Sequence, residues 1–325
     1  FLLKSNCILN KNGVLTFIFQ NSFLGTKNCT KLRELCFKEN KVIKITSYPE
    51  RDNPNTRVFK SAKMSVCILE MSKKHYLNYD FSIEVNNDKN KNSGFELTLN
   101  KNQVSKDIYL RIPQTSKRGL ELYYNILSNK NLLMMKHVAK CFQGEVNLTT
   151  HKKFLSNKKD KKYNIEITRG ANIQKFFKVY DTSQGESQFI DKVNFLKKIS
   201  SGRAYSFENE RIGMQNITGI QEKFRLKSAI ISKNNFLGHS CNFLIKINSE
   251  FSNEEIICYL NSNLLNWLFK IFSTISYVTT YEVDILPIIK MNAEQKIKIK
   301  NLYKKMIDLK LKNYKEISKD DNFEL

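Results

Sequence analysis

The chain has 325 residues, 41% hydrophobic and 26% charged, which is enough for two domains with real cores and excludes a largely disordered protein. Only 4 prolines and 11 glycines exclude a collagen-like or linker protein. The 54 basic against 31 acidic side chains leave a net charge of +23, which points to a polyanionic partner, nucleic acid first. A Lys-, Asn- and Ile-rich composition of the kind AT-rich genomes encode is the rival explanation of that charge.

In chain order, residues 1–9 have the apolar pattern of a helix end, and Asn12-Gly13 is a turn or helix-stop signal. Residues 14–19 (VLTFIF) are a continuous apolar run, suited to a central strand buried on both faces. A helix is predicted over 29–37, with Leu32, Leu35 and Cys36 apolar, then strands over 42–48 and 65–71. Strands alternating with helices predict one edge of a mostly parallel α/β sheet, the last third of a doubly wound domain.

Residues 86–93 are polar and read as a loop, and 95–142 has a mixed pattern with a helix around 120–129. The lysine-rich stretch 156–162 reads as a solvated loop in preference to a phosphate-contacting arm. Ser252 with Glu255 makes a capping box ahead of a helix carrying Ile256, Leu260, Leu264, Trp267, Leu268 and Ile271. A C-terminal helix is predicted over 292–314, with Ile299, Leu302, Met306 and Leu309 on one docking stripe and lysines elsewhere.

The seven cysteines form no CxxC pair and mostly sit in apolar runs, as reduced thiols of a cytoplasmic protein do. The four histidines are scattered without HExxH spacing, so no metal site is expected. No stretch reaches the roughly 18 apolar residues a membrane helix needs, and no signal peptide is visible. The sequence opens on Phe1 in mid-pattern and is expected to be part of a longer polypeptide.

A catalytic constellation is missing. There is no GxGxxG, P-loop or GxSxG, and the acidic pairs Asp80/Glu84 and Asp88/Glu96 lack the ExK a metal-dependent nuclease would add. A recognition surface is better represented. Residues 169–175 (RGANIQK) and 211–219 (RIGMQNITG), followed by Lys223, Arg225 and Lys227, combine basic and amide side chains with glycines. Arg, Gln and Asn read base edges with paired hydrogen bonds, while Lys and glycine-turn amides hold phosphates. The candidate DNA-binding residues are Arg169, Asn172, Lys175, Arg211, Gln215, Asn216, Thr218, Lys223 and Arg225. Ordinary protein surface explains each cluster equally well when it is taken alone.

The order of these segments changes that balance. LNKNGVLTFIFQNSF at 9–23, LREL at 32–35 and RVF at 57–59 before 64–71 resemble adenine-specific DNA methyltransferases. The likeness is to the part downstream of the NPPY motif, closest to the Taq-type group of type II restriction–modification systems. GEVNLT at 144–149, RGANI at 169–173 and RIGMQNITGIQEKFR at 211–225 resemble the target-recognition region. YLNS at 259–262 with Trp267, and EVDILP at 282–287, are similar to its closing signature. The resemblance covers most of the chain and is weak over residues 76–140.

The resemblance implies an α/β fold: the C-terminal part of a Rossmann-like methyltransferase sheet over residues 1–75, an intervening segment at 76–143, and an α+β target-recognition domain at 144–325. It also implies transfer of a methyl group from S-adenosylmethionine to adenine N6 at a specific site in double-stranded DNA. Such an enzyme must flip the base out of the stack, and Phe59 matches the aromatic on which it rests; a core phenylalanine is the plainer reading of the same residue. The glycine-rich cofactor motif and NPPY are both absent, and Asp52-Asn53-Pro54-Asn55 follows the 14–19 strand instead of preceding it. S-adenosylmethionine is therefore expected to bind mainly on a missing N-terminal methyltransferase portion, with a cognate restriction endonuclease as a further partner. Two other readings stand beside this one: part of a fused restriction endonuclease and methyltransferase, or a non-catalytic DNA-binding specificity module.

Overall fold

A computed structural model describes residues 1–86, 89–90, 94–179, 187–198, 206–219, 222–273 and 275–317. Asp88, and residues 87 and 91–93 of the predicted loop, lie outside that set. The chain forms two compact units, Phe1–Leu132 with Lys270–Ile275, and Leu133–Phe269 with Ser276–Leu325. The first runs well past residue 75, because the sheet begun by the early strands continues through two more.

That sheet contains β1 (Val14–Gln20), β2 (Lys41–Tyr48), β3 (Val66–Ser72), β4 (Asp80–Asn86) and β5 (Gly94–Asn100), in the order β1-β3-β2-β4-β5. The link from β1 to β2 carries the helix Thr30–Glu34 and a π-type turn, Leu35–Glu39, and returns the chain in its original direction. The link from β2 to β3 has no helix, and β3 runs antiparallel to both β1 and β2. Only β2 and β4 pair in parallel, while β4 and β5 pair antiparallel. The sheet is mixed, not mostly parallel as the strand–helix alternation predicts, because three of its four pairings are reversed. Its core joins Val42, Ile45, Leu69, Met71, Phe81 and Ile83 to Phe37. Burying each such side chain contributes on the order of 1.5–3 kcal/mol.

β1 departs from expectation in a second way. It lies at the sheet's edge, and every other residue is open to solvent, with Val14 57% and Ile18 45% exposed. The apolar run therefore has the composition of a central strand and the exposure of an edge strand.

The second unit holds two four-stranded sheets. In the first, strands Ser228–Ile231, Arg211–Gln215, Cys241–Lys246 and Ala139–Gln143 lie in that order, all antiparallel. In the second, Phe236–Leu237 pairs in parallel with Ile165–Thr168, followed by Phe189–Ile190 and Leu155–Ser156. Val146, Phe154, Ile167, Ile190, Phe195, Phe207 and Phe236 fill the core beside it.

The predicted Ser252–Glu255 capping box forms, with each side chain meeting the other residue's backbone N–H. The helix it opens is two helices, Asn253–Leu260 and Asn263–Lys270. They part at Asn261 because its side-chain amide pairs in both directions with the Ser228 backbone, accepting at 3.0 Å and donating at 2.8 Å. The last helix, Ala293–Ile317, buries a different face from the one its apolar pattern suggests. Ile299, Tyr303, Met306 and Ile307 are half-buried, whereas Leu302 and Leu309 are exposed. No helix among the described residues is long and apolar enough to cross a membrane.

Candidate nucleic-acid interface

Five of the nine predicted DNA-binding side chains are internal. Arg211 pairs with Glu145 in two places, at 2.5 and 3.2 Å, and donates to Ser206 Oγ and to the Asn235 carbonyl. Burial pushes the Glu145 carboxyl up, against the pull of Arg211. Arg225 lies beneath the surface over the Phe269 ring, donates to Thr218 Oγ1 at 3.1 Å, and has its pKa lowered by burial to about 10. Thr218 is thereby occupied as an acceptor. Asn172 accepts from the Arg169 N–H and donates to the Val179 carbonyl, while Asn216 donates to the His239 carbonyl. Arg211, Arg225, Thr218, Asn172 and Asn216 are all buried. The hydrogen bonds of Arg211, Arg225, Thr218 and Asn172 lie inside the second unit, and the expectation that these four line an open basic surface is corrected accordingly; Asn216 is held through its amide nitrogen and borders a cleft. Gln215 is half-buried, with Oε1 sealed in and without a partner among the described residues.

The glycines of these segments also differ from the expected phosphate-cradling turns. A Cβ on Gly170 would sit 2.5 Å from the Ser240 carbonyl oxygen, so this glycine permits two backbones to touch. Gly213 lies in mid-strand, where a Cβ would meet Ile231 Cγ1 at 2.6 Å.

The predicted residues that do reach the surface are half-buried Arg169, half-buried Lys175 and exposed Lys223. Lys175 and Lys223 converge from separate loops on one ring: Lys175 Nζ lies 3.7 Å and Lys223 Nζ 5.6 Å from the centroid of Phe224. The C-terminal helix brings Lys310 to the same place, 5.5 Å from the Phe177 centroid. The tip of the hairpin closed by Ile173 and Lys178 carries Lys175, Phe176 and Phe177. Phe176 has φ = 77°, a conformation costing a bulky residue on the order of 1–3 kcal/mol. Its N–H is tied to the Ser228 carbonyl at 2.8 Å, and its ring approaches Tyr303 at 6.5 Å.

Burial, then Lys310, then Lys223 all lower the Lys175 pKa. None of these three lysines has a carboxylate partner among the described residues, whereas nearby Lys227 is neutralised by Glu222 at 2.6 Å. Three crowded ammonium groups beside half-buried rings suit a phosphate backbone, whose charge relieves their repulsion. Phe176, Phe177, Phe224 and Lys310 are missing from the sequence-derived candidates. The runs KFFK at 175–178 and KFR at 223–225 alternate basic and aromatic residues and carry that signal.

In the first unit, Phe59 is 41% exposed, which removes the core-residue reading. It sits in the irregular link between β2 and β3. The Arg57 guanidinium staples that loop by donating to the carbonyls of Phe59 at 2.9 Å, Arg51 at 3.2 Å, and Lys60. Among the described residues no group of three His, Cys, Asp or Glu is placed to hold a metal ion. Glu84 of the acidic pairs is held by Lys44 at 2.6 Å.

No family model and no curated protein matches the sequence. Solved structures do. The fold is similar to the type IIL restriction–modification enzyme MmeI, whose structure is a complex with DNA, at a TM-score of 0.57 and 12% identity. The match covers 93% of this chain and 43% of MmeI, so the chain spans less than half of that enzyme's length. A slighter likeness is to the type IIG restriction endonuclease BpuSI, at TM-score 0.40, 10% identity, 94% of this chain and 43% of that one. Another is to the S subunit of a type I restriction–modification system from M. genitalium, at 0.31, 12%, 62% and 45%. The last two are too distant to carry an argument. At 12% identity the likeness to MmeI is one of fold.

Proposed function

We propose that this chain supplies DNA target recognition, duplex holding and flipped-base stacking to a site-specific DNA adenine-N6 methyltransferase of a restriction–modification system. The observation that carries the reading is the fold shared, over 93% of the chain, with a type IIL restriction–modification enzyme in complex with DNA. The unpaired lysines around Phe224 add the chemistry a fold alone does not provide. Under this reading Lys175, Lys223 and Lys310 hold the backbone, Arg169 and Gln215 flank the recognition face, and Phe59 stacks on the extruded adenine.

Under this reading S-adenosylmethionine is bound mainly outside these residues, since the sequence lacks both the glycine-rich turn for its carboxylate end and an NPPY-type motif for the target amino group. Cofactor and amino-group ligands then belong to further polypeptide, and the outer edge of β1, with Val14 and Ile18 exposed, is where its sheet would join. The fused endonuclease–methyltransferase arrangement is a second form of the same reading, favoured by the likeness in fold to the restriction–modification enzyme MmeI.

Methyl transfer from labelled S-adenosylmethionine to mixed-sequence duplex DNA tests the proposal. It is assayed with this chain, with a polypeptide carrying the NPPY motif encoded beside it, and with both. Activity in the mixture alone, on adenine N6, is the expected result. Methylation of cytosine, or an NPPY polypeptide fully active and site-specific without this chain, would overturn it.

A further inference from the structure

One end of the larger sheet of the second unit opens into a cleft of about 440 Å3 lined by Gln143, Asn216, Asn242, Phe142, Tyr277 and Thr280, among others. Register explains the grouping. Asn242 lies opposite Gln143 on one side and Met214 on the other, so Gln143, Asn242 and, two residues beyond Met214, Asn216 share one face of the sheet. The chain at 276–278 closes the far wall, with Val278 N–H donating to the Asn216 carbonyl at 2.7 Å and Thr218 N–H to the Ser276 carbonyl at 2.9 Å.

All three amides are fixed through nitrogen. Gln143 Nε2 and Asn216 Nδ2 both donate to the His239 carbonyl, each at 3.2 Å, and Asn242 Nδ2 donates to the Val278 carbonyl at 2.5 Å. A flipped amide would set oxygen against oxygen, so the anchors determine which end is free. None of the three amide oxygens accepts a hydrogen bond among the described residues; Gln143 is half-buried, while Asn216 and Asn242 are buried members of the lining, at 7% and 1% exposure. The cleft therefore presents an array of acceptors, held rigid by strands and bordered by the Phe142 and Tyr277 rings. A group that satisfies it is flat and carries N–H donors.

We infer that this cleft reads the exocyclic amino group of adenine or cytosine, making Gln143, Asn216 and Asn242 specificity-determining residues. Among base edges exposed in the major groove, adenine N6 and cytosine N4 are donors, whereas guanine O6 and thymine O4 are acceptors that three amide oxygens would repel. This inference rests on the DNA-recognition reading and goes beyond it by naming the residues and the base chemistry.

The test is selection of binding sites by the full chain from a randomised duplex library, with affinity for an unselected duplex measured in parallel. The expected result is enrichment of adenine or cytosine at one or more positions. Replacing that adenine by purine, or that cytosine by 2-pyrimidinone, removes only the amino group and should weaken binding about tenfold. Gln143→Leu, at a half-buried position that tolerates the change, and Asn216→Ala should lose the same preference and keep the affinity for unselected duplex. Equal binding of the amino-deleted site, or full preference retained by Gln143→Leu, would overturn the inference. Duplex binding without any base preference would overturn it and leave the DNA-binding reading intact. No duplex binding at low salt would overturn that reading as well.

Discussion

Arg211 and Glu145 face each other in the interior of the second unit, with two nitrogens of the guanidinium on the two carboxylate oxygens. The guanidinium carbon also sits 4.4 Å from the Phe243 ring centroid. Both side chains are almost wholly buried, and the pair joins the strand Arg211–Gln215 to the segment that follows Gln143. Removing one partner leaves the other charge without compensation in a low dielectric. Arg211→Met is therefore expected to cost about 3–5 kcal/mol in denaturant unfolding, and Arg211→Met with Glu145→Leu clearly less. A residue acting on DNA would behave otherwise, weakening binding with little change in the unfolding midpoint.

That pair also shows what a sequence does and does not reveal. The RIGMQ segment is legible as important, and its arginine is the most recognisable base-reading side chain in it. Burial decides its role, and burial depends on Glu145, which lies 66 positions away in the chain. The elements themselves were easier: the strands at 42–48 and 65–71, the Ser252–Glu255 cap and the C-terminal helix follow from local apolar spacing and capping. Strand direction was not local. The reversal of β3 follows from a helix-free link and is invisible to the pattern of β3 itself. The cluster around Phe224 was half legible, since Lys175 and Lys223 stand out by charge. Lys310 reaches it only because the final helix packs with Tyr303 towards Phe176.

The lysine cluster makes a prediction in salt and in pH. Each phosphate-bound lysine releases condensed counterion, so Lys175→Ala, Lys223→Ala and Lys310→Ala should each reduce the slope of log affinity against log salt by about 0.9 on duplex DNA. Burial and the neighbouring ammonium groups lower the Lys175 pKa in the free protein. Its contribution to affinity is present at neutral pH and is lost as pH rises through that lowered value, earlier than for an ordinary lysine at about 10.4. Fluorescence anisotropy across salt and pH, with Lys175→Ala removing the early alkaline loss, checks both.

His151 predicts an acid dependence of stability. Its Nδ1 accepts the Asn147 N–H at 3.1 Å and its ring meets Phe195 edge-on at 5.3 Å, an arrangement that requires the neutral imidazole. Burial, and then Lys153, lower its pKa below 6.5 in the folded state. A lowered folded pKa contributes stability that is complete above the unfolded value and disappears as pH falls through the folded one. Melting temperature should therefore fall on acidification below about pH 6.5, and His151→Asn should flatten that part of the curve. An unchanged acid limb in the variant would remove the role.

The edge of β1 predicts a difference between the isolated chain and an assembled enzyme. Val14 and Ile18 are exposed on an edge strand that pairs with β3 alone and whose remaining apolar residues are half-buried, the arrangement that favours edge-to-edge association. Ile18→Lys should reduce self-association of the isolated chain, read by light scattering. If this edge receives a strand from the cofactor-binding portion, the same change should weaken reconstitution of methyl transfer. Reduced aggregation with full reconstitution would leave β1 a simple edge.

If Phe59 stacks on the extruded base as proposed, its substitution separates chemistry from recognition. Its ring is exposed, its loop is fixed by three Arg57 hydrogen bonds to backbone carbonyls, and no aromatic partner among the described residues holds the ring in place. Stacking a base on such a ring is worth about 1–3 kcal/mol, felt only once the adenine has left the duplex. In the reconstituted enzyme Phe59→Ala should therefore slow methyl transfer by roughly one to two orders of magnitude. Duplex affinity, set by the phosphate contacts, should stay close to that of the parent, and Phe59→Trp should retain most of the rate. Fluorescence of 2-aminopurine at the target position reports extrusion directly, and the bright flipped-out state should become less populated with alanine at position 59. Equal losses in binding and in rate would instead make Phe59 a duplex contact, with its loop part of the docking surface.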